Sequence, residues 1–197
     1  MTGDGKQGAP CSPFGLTPRA IACLTAMVSL LPACAQLSPR PDSPALNYVA
    51  VSPMIGTAGM PRPEQFETIG RAGFRTVIEL ATPGTAGSHR DEAEFVTRQG
   101  MRYFNVPVDF ARPTADAYLR FAALMREHAD ERVLVHCEMN MRASAFVFLY
   151  RVLELGEEAD RAYEDVLRVW QPAPHWRRFI LTMLQQRSAP LPIALDE

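Results

Sequence analysis

One stretch of the sequence decides the expected fold: Val133-Leu134-Val135-His136-Cys137-Glu138-Met139-Asn140-Met141-Arg142-Ala143-Ser144. Its first four residues are mostly apolar and predict a short buried strand. A short loop with one cysteine and one arginine follows, and the amphipathic segment after it predicts a helix. A loop between a strand and a helix N-terminus can bind an anion, because its backbone N–H groups point toward the ligand. The same position favours a thiolate, so the stretch predicts a reactive Cys137 in an anion site.

Strand-like and helix-like segments alternate on both sides of this stretch. The strand-like segments are residues 48–51 with 54–55, 74–80, 103–108 and 133–136, and residues 56–59 between them are typical of a turn. The helix-like segments are residues 64–72, 91–99, 114–128 with Thr114 as N-cap, 143–155, 158–170 and 176–186. This alternation predicts an α/β fold with a parallel central sheet and helices on both faces.

The expected sheet also predicts where a ligand binds. Open parallel sheets bind ligands at the carboxyl ends of their strands. His136 and Cys137 follow one such strand, and Asp109 follows another. We therefore expect these three residues at one edge of the sheet, whereas Trp170, His175 and Trp176 are expected to pack in the core rather than line a cleft.

The N-terminal region predicts export. Residues 20–31 form an apolar run of about twelve residues, too short to span a bilayer but typical of a signal peptide. The following Leu31-Pro32-Ala33-Cys34 resembles a lipoprotein box with Cys34 as the lipidated residue, and residues 33–35 also read as a simple cleavage site. The expected organisation is a signal peptide at 1–35, a linker at 36–46, a domain at 47–187 and a flexible tail at 188–197. The expected location is the periplasm, as a soluble or membrane-anchored protein.

Cysteine content and charge narrow the function further. Of four cysteines, Cys11 and Cys23 would leave with the signal peptide, and Cys34 would carry the lipid or lie in the flexible start. Cys137 is then the one thiol of the expected domain, so a structural disulfide does not explain it. The net charge of −2 gives no basic surface for nucleic acid.

Three segments together resemble a known family. His136-Cys137, a short loop and Arg142 resemble the signature His-Cys-x5-Arg-Ser/Thr of cysteine-dependent phosphatases. Asp109 lies 28 residues before the cysteine, where dual-specificity phosphatases keep a general acid. Residues 61–66 and 72–80 are similar to a bacterial family of phosphatase-like domains, some of which accompany a beta-lactamase-like hydrolase or a rhodanese domain.

The resemblance implies a role for each site residue. Cys137 would be the nucleophile, Arg142 would bind two substrate oxygens, and Asp109 would be the general acid and then the general base. His136 would order the loop. The residues expected to contact substrate are Glu138, Met139, Asn140, Met141 and Ser144, the last by donating to the sulfur as it leaves. The implied partner is a phosphorylated protein or small molecule, with no metal and no cofactor, and any membrane contact would be through the lipid anchor.

The loop departs from the phosphatase signature in its length. The spacing is Cys-x4-Arg, so an alignment without a gap places Ala143 at the arginine position and Asn140 at a glycine position. Asparagine tolerates the left-handed conformation better than other non-glycine residues. A six-residue segment from cysteine to arginine is also the rhodanese pattern. A sulfurtransferase with a Cys137 persulfide is therefore an alternative, and a catalytically inactive module that binds phosphoanions is another.

Structural roles remain open for four of these residues. Asp109 could cap a turn, and Arg142 could pair with Glu79 or Glu138. His136 could be a core histidine, and Ser144 could be an ordinary residue at the start of a helix.

Overall fold

The structure is a computed structural model that describes residues 44–85 and 91–196. The predicted signal peptide with Cys34, the linker up to residue 43, and the loop residues 86–90 lie outside these ranges. Among the described residues, no helix is both long and apolar enough to cross a membrane.

Five strands form one sheet in the order β1-β2-β5-β3-β4. They are β1 (Val49–Ala50), β2 (Ile55–Ala58), β3 (Thr76–Glu79), β4 (Arg102–Asn105) and β5 (Val133–His136). The pair β1–β2 is antiparallel, and the pairs β2–β5, β5–β3 and β3–β4 are parallel. The predicted α/β fold with a parallel central sheet is confirmed, and β5 lies in the middle of that sheet.

Two strands end about three residues away from their predicted ends, and the other strand boundaries differ by no more than two residues. Residues 56–59 were expected to turn, but Gly56 lies inside β2. A Cβ atom at Gly56 would come within 2.9 Å of the Tyr48 ring, so this glycine allows close packing rather than a turn. Strand β4 ends at Asn105 instead of residue 108. The backbone N–H groups of Val106 and Val108 still donate to the carbonyls of Glu79 and Leu80, so the segment stays beside β3 beyond the end of the strand.

Seven helices surround the sheet in the described part of the chain. They are α1 (Gln65–Arg71), α2 (Glu92–Arg98), α3 (Ala115–Glu127), α4 (Met141–Leu153), α5 (Ala159–Leu167), α6 (Pro174–Gln186) and α7 (Ile193–Asp196). Thr114 caps α3 as predicted, since its side chain accepts a hydrogen bond from the Ala117 N–H. The segment expected to be a flexible tail contains α7, and Leu195 of that helix is buried.

The two faces of the sheet pack against different helices. Side chains alternate between the faces along a strand. Val77 and Leu134 pack with residues of α1 and α2, whereas Ile78 and Val135 pack with residues of α3 to α6. Helix α4 is buried on nearly all sides, as its apolar sequence requires. This packing fixes the loop between β5 and α4, which carries the candidate site.

Candidate active site

Cys137 lies at the floor of a pocket between β5 and α4. Its side chain is a free thiol, and the residue is 1% exposed. Its backbone N–H donates to the Ala58 carbonyl at 3.2 Å, which holds Cys137 at the carboxyl ends of β2 and β5. The pocket has a volume of about 220 Å³ and is lined by Phe110, Cys137, Glu138, Met139, Met141 and Arg142. The sequence correctly placed Cys137 at the carboxyl end of a central strand.

Asn140 turns the chain from the loop into α4. Its φ of 71° is left-handed, which confirms the conformation that the sequence suggested for this position. Its side-chain amide donates to the Asn47 carbonyl at 2.7 Å and to the Thr57 hydroxyl at 3.1 Å. The first N–H groups of a helix have no acceptor within it. The Asn140 side chain therefore ties the loop to the segment before β1 and to β2. The N-terminus of α4, with its free N–H groups, lies beside Cys137.

Arg142 is the second residue of α4 and is 4% exposed. Its Nη1 donates to the Val108 carbonyl at 3.0 Å, and its Nη2 lies 3.6 Å from the Glu138 carboxylate. Its Nε is buried and has no partner among the described residues. The helix begins early enough to place Arg142, rather than Ala143, in the pocket wall. The short Cys-x4-Arg spacing is thus compatible with an arginine beside the cysteine.

The other loop residues take different positions. Glu138, Met139 and Met141 line the pocket, as expected for substrate contacts. Ser144 instead donates its hydroxyl to the Met141 carbonyl at 3.1 Å. This bond is typical of a serine in the first turn of a helix and directs its proton away from the sulfur.

His136 points to the opposite face of the sheet from Cys137. It is fully buried, and its Nε2 lies 2.7 Å from the Glu92 carboxylate of α2, although the contact is not aligned as a hydrogen bond. Glu92 is also buried and was missed by the sequence analysis. It lies four residues before Val96, so the helical period could have placed it on the inner face of α2.

A second buried carboxylate, that of Glu79, lies beside His136 on the neighbouring strand. Glu79 pairs in register with His136 and accepts hydrogen bonds from the Tyr103 hydroxyl and from the Asn105 amide. Burial raises the pKa of Glu79, and the Tyr103 hydrogen bond opposes this rise. The structure pairs Arg142 with Glu138 and not with Glu79. This polar cluster anchors the ends of the strands behind the pocket.

Asp109 is near the pocket but does not line it. Its carboxylate accepts the Ala111 N–H at 2.9 Å and contacts Arg112 Nε at 3.3 Å. The Ala111 hydrogen bond, with help from Arg112, lowers the pKa of Asp109. In this conformation the side chain caps its own turn, which was the structural alternative for this residue. A catalytic role requires the side chain to leave these donors.

Phe110 forms one wall of the pocket and was not singled out in the sequence. Its ring lies 5.9 Å from the Arg142 guanidinium carbon. On its other side it packs against Trp170, His175 and Trp176. Trp176 is buried in the core as expected, whereas Trp170 and His175 are only partly buried. None of the three lines the pocket, because they lie behind Phe110. No local pattern marks Phe110, because its partners come from a distant part of the chain.

Comparison with known proteins identifies the family. No family model matches the chain and no curated relative matches it, but solved structures do. A DUF442 protein from Shewanella putrefaciens CN-32, described as a phosphatase candidate, is 30% identical, with a TM-score of 0.65 over 72% of this chain and 93% of that one. This chain belongs to the DUF442 family.

Two more distant structures share the fold of this DUF442-family chain. Tk-PTP in its active form is 18% identical over 72% of this chain and 97% of that one, with a TM-score of 0.60. The core catalytic domain of the PP-IP phosphatase SIW14 from S. cerevisiae is 17% identical over 71% and 86% of the two chains, with a TM-score of 0.61. The expected phosphatase-like fold is confirmed.

Proposed function

We propose that this chain is a cysteine-dependent phosphatase that hydrolyses a phosphomonoester through a cysteinyl-phosphate intermediate. The observation that carries the proposal is the juxtaposition of Cys137 with Arg142 in one pocket at the N-terminus of α4. Arg142 has a buried Nε without a partner among the described residues, which is a donor available to an oxyanion. The membership in DUF442 and the shared phosphatase fold support the same chemistry.

The reaction has two displacement steps. In the first, the Cys137 thiolate attacks phosphorus, an S–P bond forms, and the P–O bond to the leaving group breaks. Asp109 supplies a proton to the leaving oxygen after it turns toward the pocket. In the second, water attacks phosphorus, Asp109 takes a proton from it, and the S–P bond breaks to release phosphate and the thiolate. Arg142 and the N–H groups of the loop stabilise the charge on the phosphoryl oxygens in both steps.

The pocket walls favour a substrate with one phosphate on an apolar or aromatic group. Phe110, Met139 and Met141 are apolar, and the one arginine of the lining faces an acid, Glu138. A ligand with several phosphates would bring more negative charge toward Glu138 than Arg142 balances. Two structural neighbours differ in the ligand or substrate that their descriptions name. A variant of P. aeruginosa TpbA was solved in complex with pTyr, whereas SIW14 is a PP-IP phosphatase.

This charge balance gives a prediction about specificity. We expect kcat/KM for phenyl phosphate to exceed that for inositol hexakisphosphate by more than about tenfold. Phe110→Ala should raise KM for phenyl phosphate by about 2-fold to 12-fold, the worth of one aromatic contact of roughly 0.5–1.5 kcal/mol, and leave KM for methyl phosphate nearly constant. Glu138→Gln should reduce the preference for phenyl phosphate over inositol hexakisphosphate, because it removes the negative charge in the pocket lining. A wild-type preference for the polyphosphate would contradict this assignment.

The sulfurtransferase alternative rests on one feature, the six-residue segment from Cys137 to Arg142. The two activities are separable in one preparation, by measuring phosphate release from phenyl phosphate and thiocyanate formation from thiosulfate and cyanide. The proposal expects phosphate release that Cys137→Ser abolishes. Thiocyanate formation without phosphate release would establish the sulfurtransferase, and binding of phosphate with neither activity would establish the inactive module.

Arg142→Lys tests the oxyanion role of the arginine. Lysine keeps the positive charge, but it cannot present two parallel donors to a phosphoryl group. We expect kcat/KM for phenyl phosphate to fall by roughly 10²–10³-fold. Arg178→Lys, at an exposed position of α6, is the matched control. Near-normal rates for both Arg142→Lys and Arg142→Ala would exclude Arg142 from the reaction.

We also propose that the domain acts after export, on the basis of the signal-peptide pattern and Cys34. Cell fractionation of the full chain and of Cys34→Ser tests this. A lipoprotein would move from the membrane to the soluble periplasmic fraction on this substitution, and cytoplasmic recovery of both would contradict export.

A further inference from the structure

The segment that carries Asp109 is held in place on both sides. On its N-terminal side, the Val108 N–H donates to the Leu80 carbonyl at 3.1 Å, and the Val108 carbonyl accepts from Arg142 Nη1 at 3.0 Å. The residue that follows β3 and the first turn of α4 therefore fix Val108, the residue before Asp109. Leu80 and Arg142 are both buried, so this attachment point is rigid.

On the C-terminal side, the attachment comes from the start of α6. The Phe110 carbonyl accepts a hydrogen bond from Trp176 Nε1 at 2.9 Å, and His175 Nε2 lies 3.0 Å from the same oxygen. Trp176 is fully buried, so its indole N–H is a fixed donor. The Phe110 ring packs against both residues, which adds two aromatic contacts to the hydrogen bonds.

We infer that His175 and Trp176 are positioning residues, which hold the backbone of Asp109 and Phe110 so that the Asp109 carboxyl reaches the pocket by side-chain rotation. Among the described residues, the carboxylate is bound only to groups of its own turn, the Ala111 N–H and Arg112. Rotation about the side-chain bonds of Asp109 breaks these two contacts and leaves the Val108 and Phe110 carbonyls where they are. The inference rests on the proposed function, in which Asp109 is the general acid.

The test uses variants of His175, which is only partly buried, in the full chain. His175→Leu removes the ring N–H and His175→Gln restores an N–H donor of similar reach. A misplaced acid matters most for a poor leaving group, and a shift of about 1 Å can cost 10²-fold. We expect His175→Leu to lower kcat on methyl phosphate by roughly 10-fold to 100-fold, with a much smaller loss on 4-nitrophenyl phosphate and little change in KM. His175→Gln should recover most of the loss, and Arg178→Leu on the same helix is the control.

A second measurement does not depend on turnover. Amide hydrogen exchange of residues 109–112 should become faster in His175→Leu and return toward the wild-type rate in His175→Gln, because the turn loses and regains an attachment. Equal losses on both substrates, or unchanged exchange, would overturn the positioning role. An inactive wild-type chain in which His175→Leu still accelerates exchange would instead contradict the phosphatase proposal and leave the attachment established.

Discussion

Phosphate release should fall to the assay background in Cys137→Ser, a loss of more than about 10⁴-fold, comparable to removing the nucleophile of a serine protease. A serine hydroxyl does not ionise near neutral pH, so it cannot replace a thiolate as the attacking group. The substitution exchanges the sulfur of a buried side chain for oxygen and keeps the Ala58 contact, which is made by the backbone. The measurement is release of inorganic phosphate from phenyl phosphate.

Binding supplies the control for this variant. Arg142 and the N–H groups of the loop are unchanged in Cys137→Ser, so calorimetry should still detect inorganic phosphate at the site. Retained turnover would show that Cys137 is not the nucleophile. Circular dichroism monitors the folding of the variant. If Cys137→Ser loses both turnover and folding, Cys137→Ala is needed to distinguish a catalytic from a structural effect.

Asp109→Asn should lower the rate by roughly 10²–10⁴-fold on methyl phosphate, the range for a positioned general acid. The loss should be much smaller on 4-nitrophenyl phosphate, because this leaving group departs as a stable anion. Equal losses on the two substrates would mean that Asp109 is structural, and Glu138 in the pocket lining would be the next acid to test. Unchanged rates on both would favour the sulfurtransferase, which needs no acid.

The pH dependence follows from the contacts of Asp109. The working acid is the protonated carboxyl, so activity falls at high pH as the proton is lost, and this basic limb should flatten in Asp109→Asn. The Ala111 N–H and Arg112 hold the pKa of Asp109 low. Arg112→Ala removes one of these effects, so the pKa should rise and the basic limb should move to higher pH. A shift to lower pH would contradict the assignment of this limb to Asp109.

The sequence by itself determined the strand, loop and helix around Cys137 and the order of most elements. These are local properties, since a buried strand, a helical period and a cap such as Thr114 depend on residues a few positions apart. It also placed Asp109 near the same sheet edge, because the carboxyl ends of parallel strands lie together. Predicted boundaries were wrong where one residue type is compatible with two structures. Gly56 was expected in a turn, but it allows close packing inside β2.

Only the tertiary structure decided which side chains surround the cysteine and which stand behind it. The Cys-x4-Arg spacing was ambiguous until the left-handed Asn140 and the early start of α4 placed Arg142 in the pocket wall. Phe110 became a wall residue through His175 and Trp176, which are 65 and 66 residues away in sequence. His136 found its partner in Glu92 across the sheet–helix interface. Such contacts arise because packing brings distant segments together, and no local period in the sequence records that proximity.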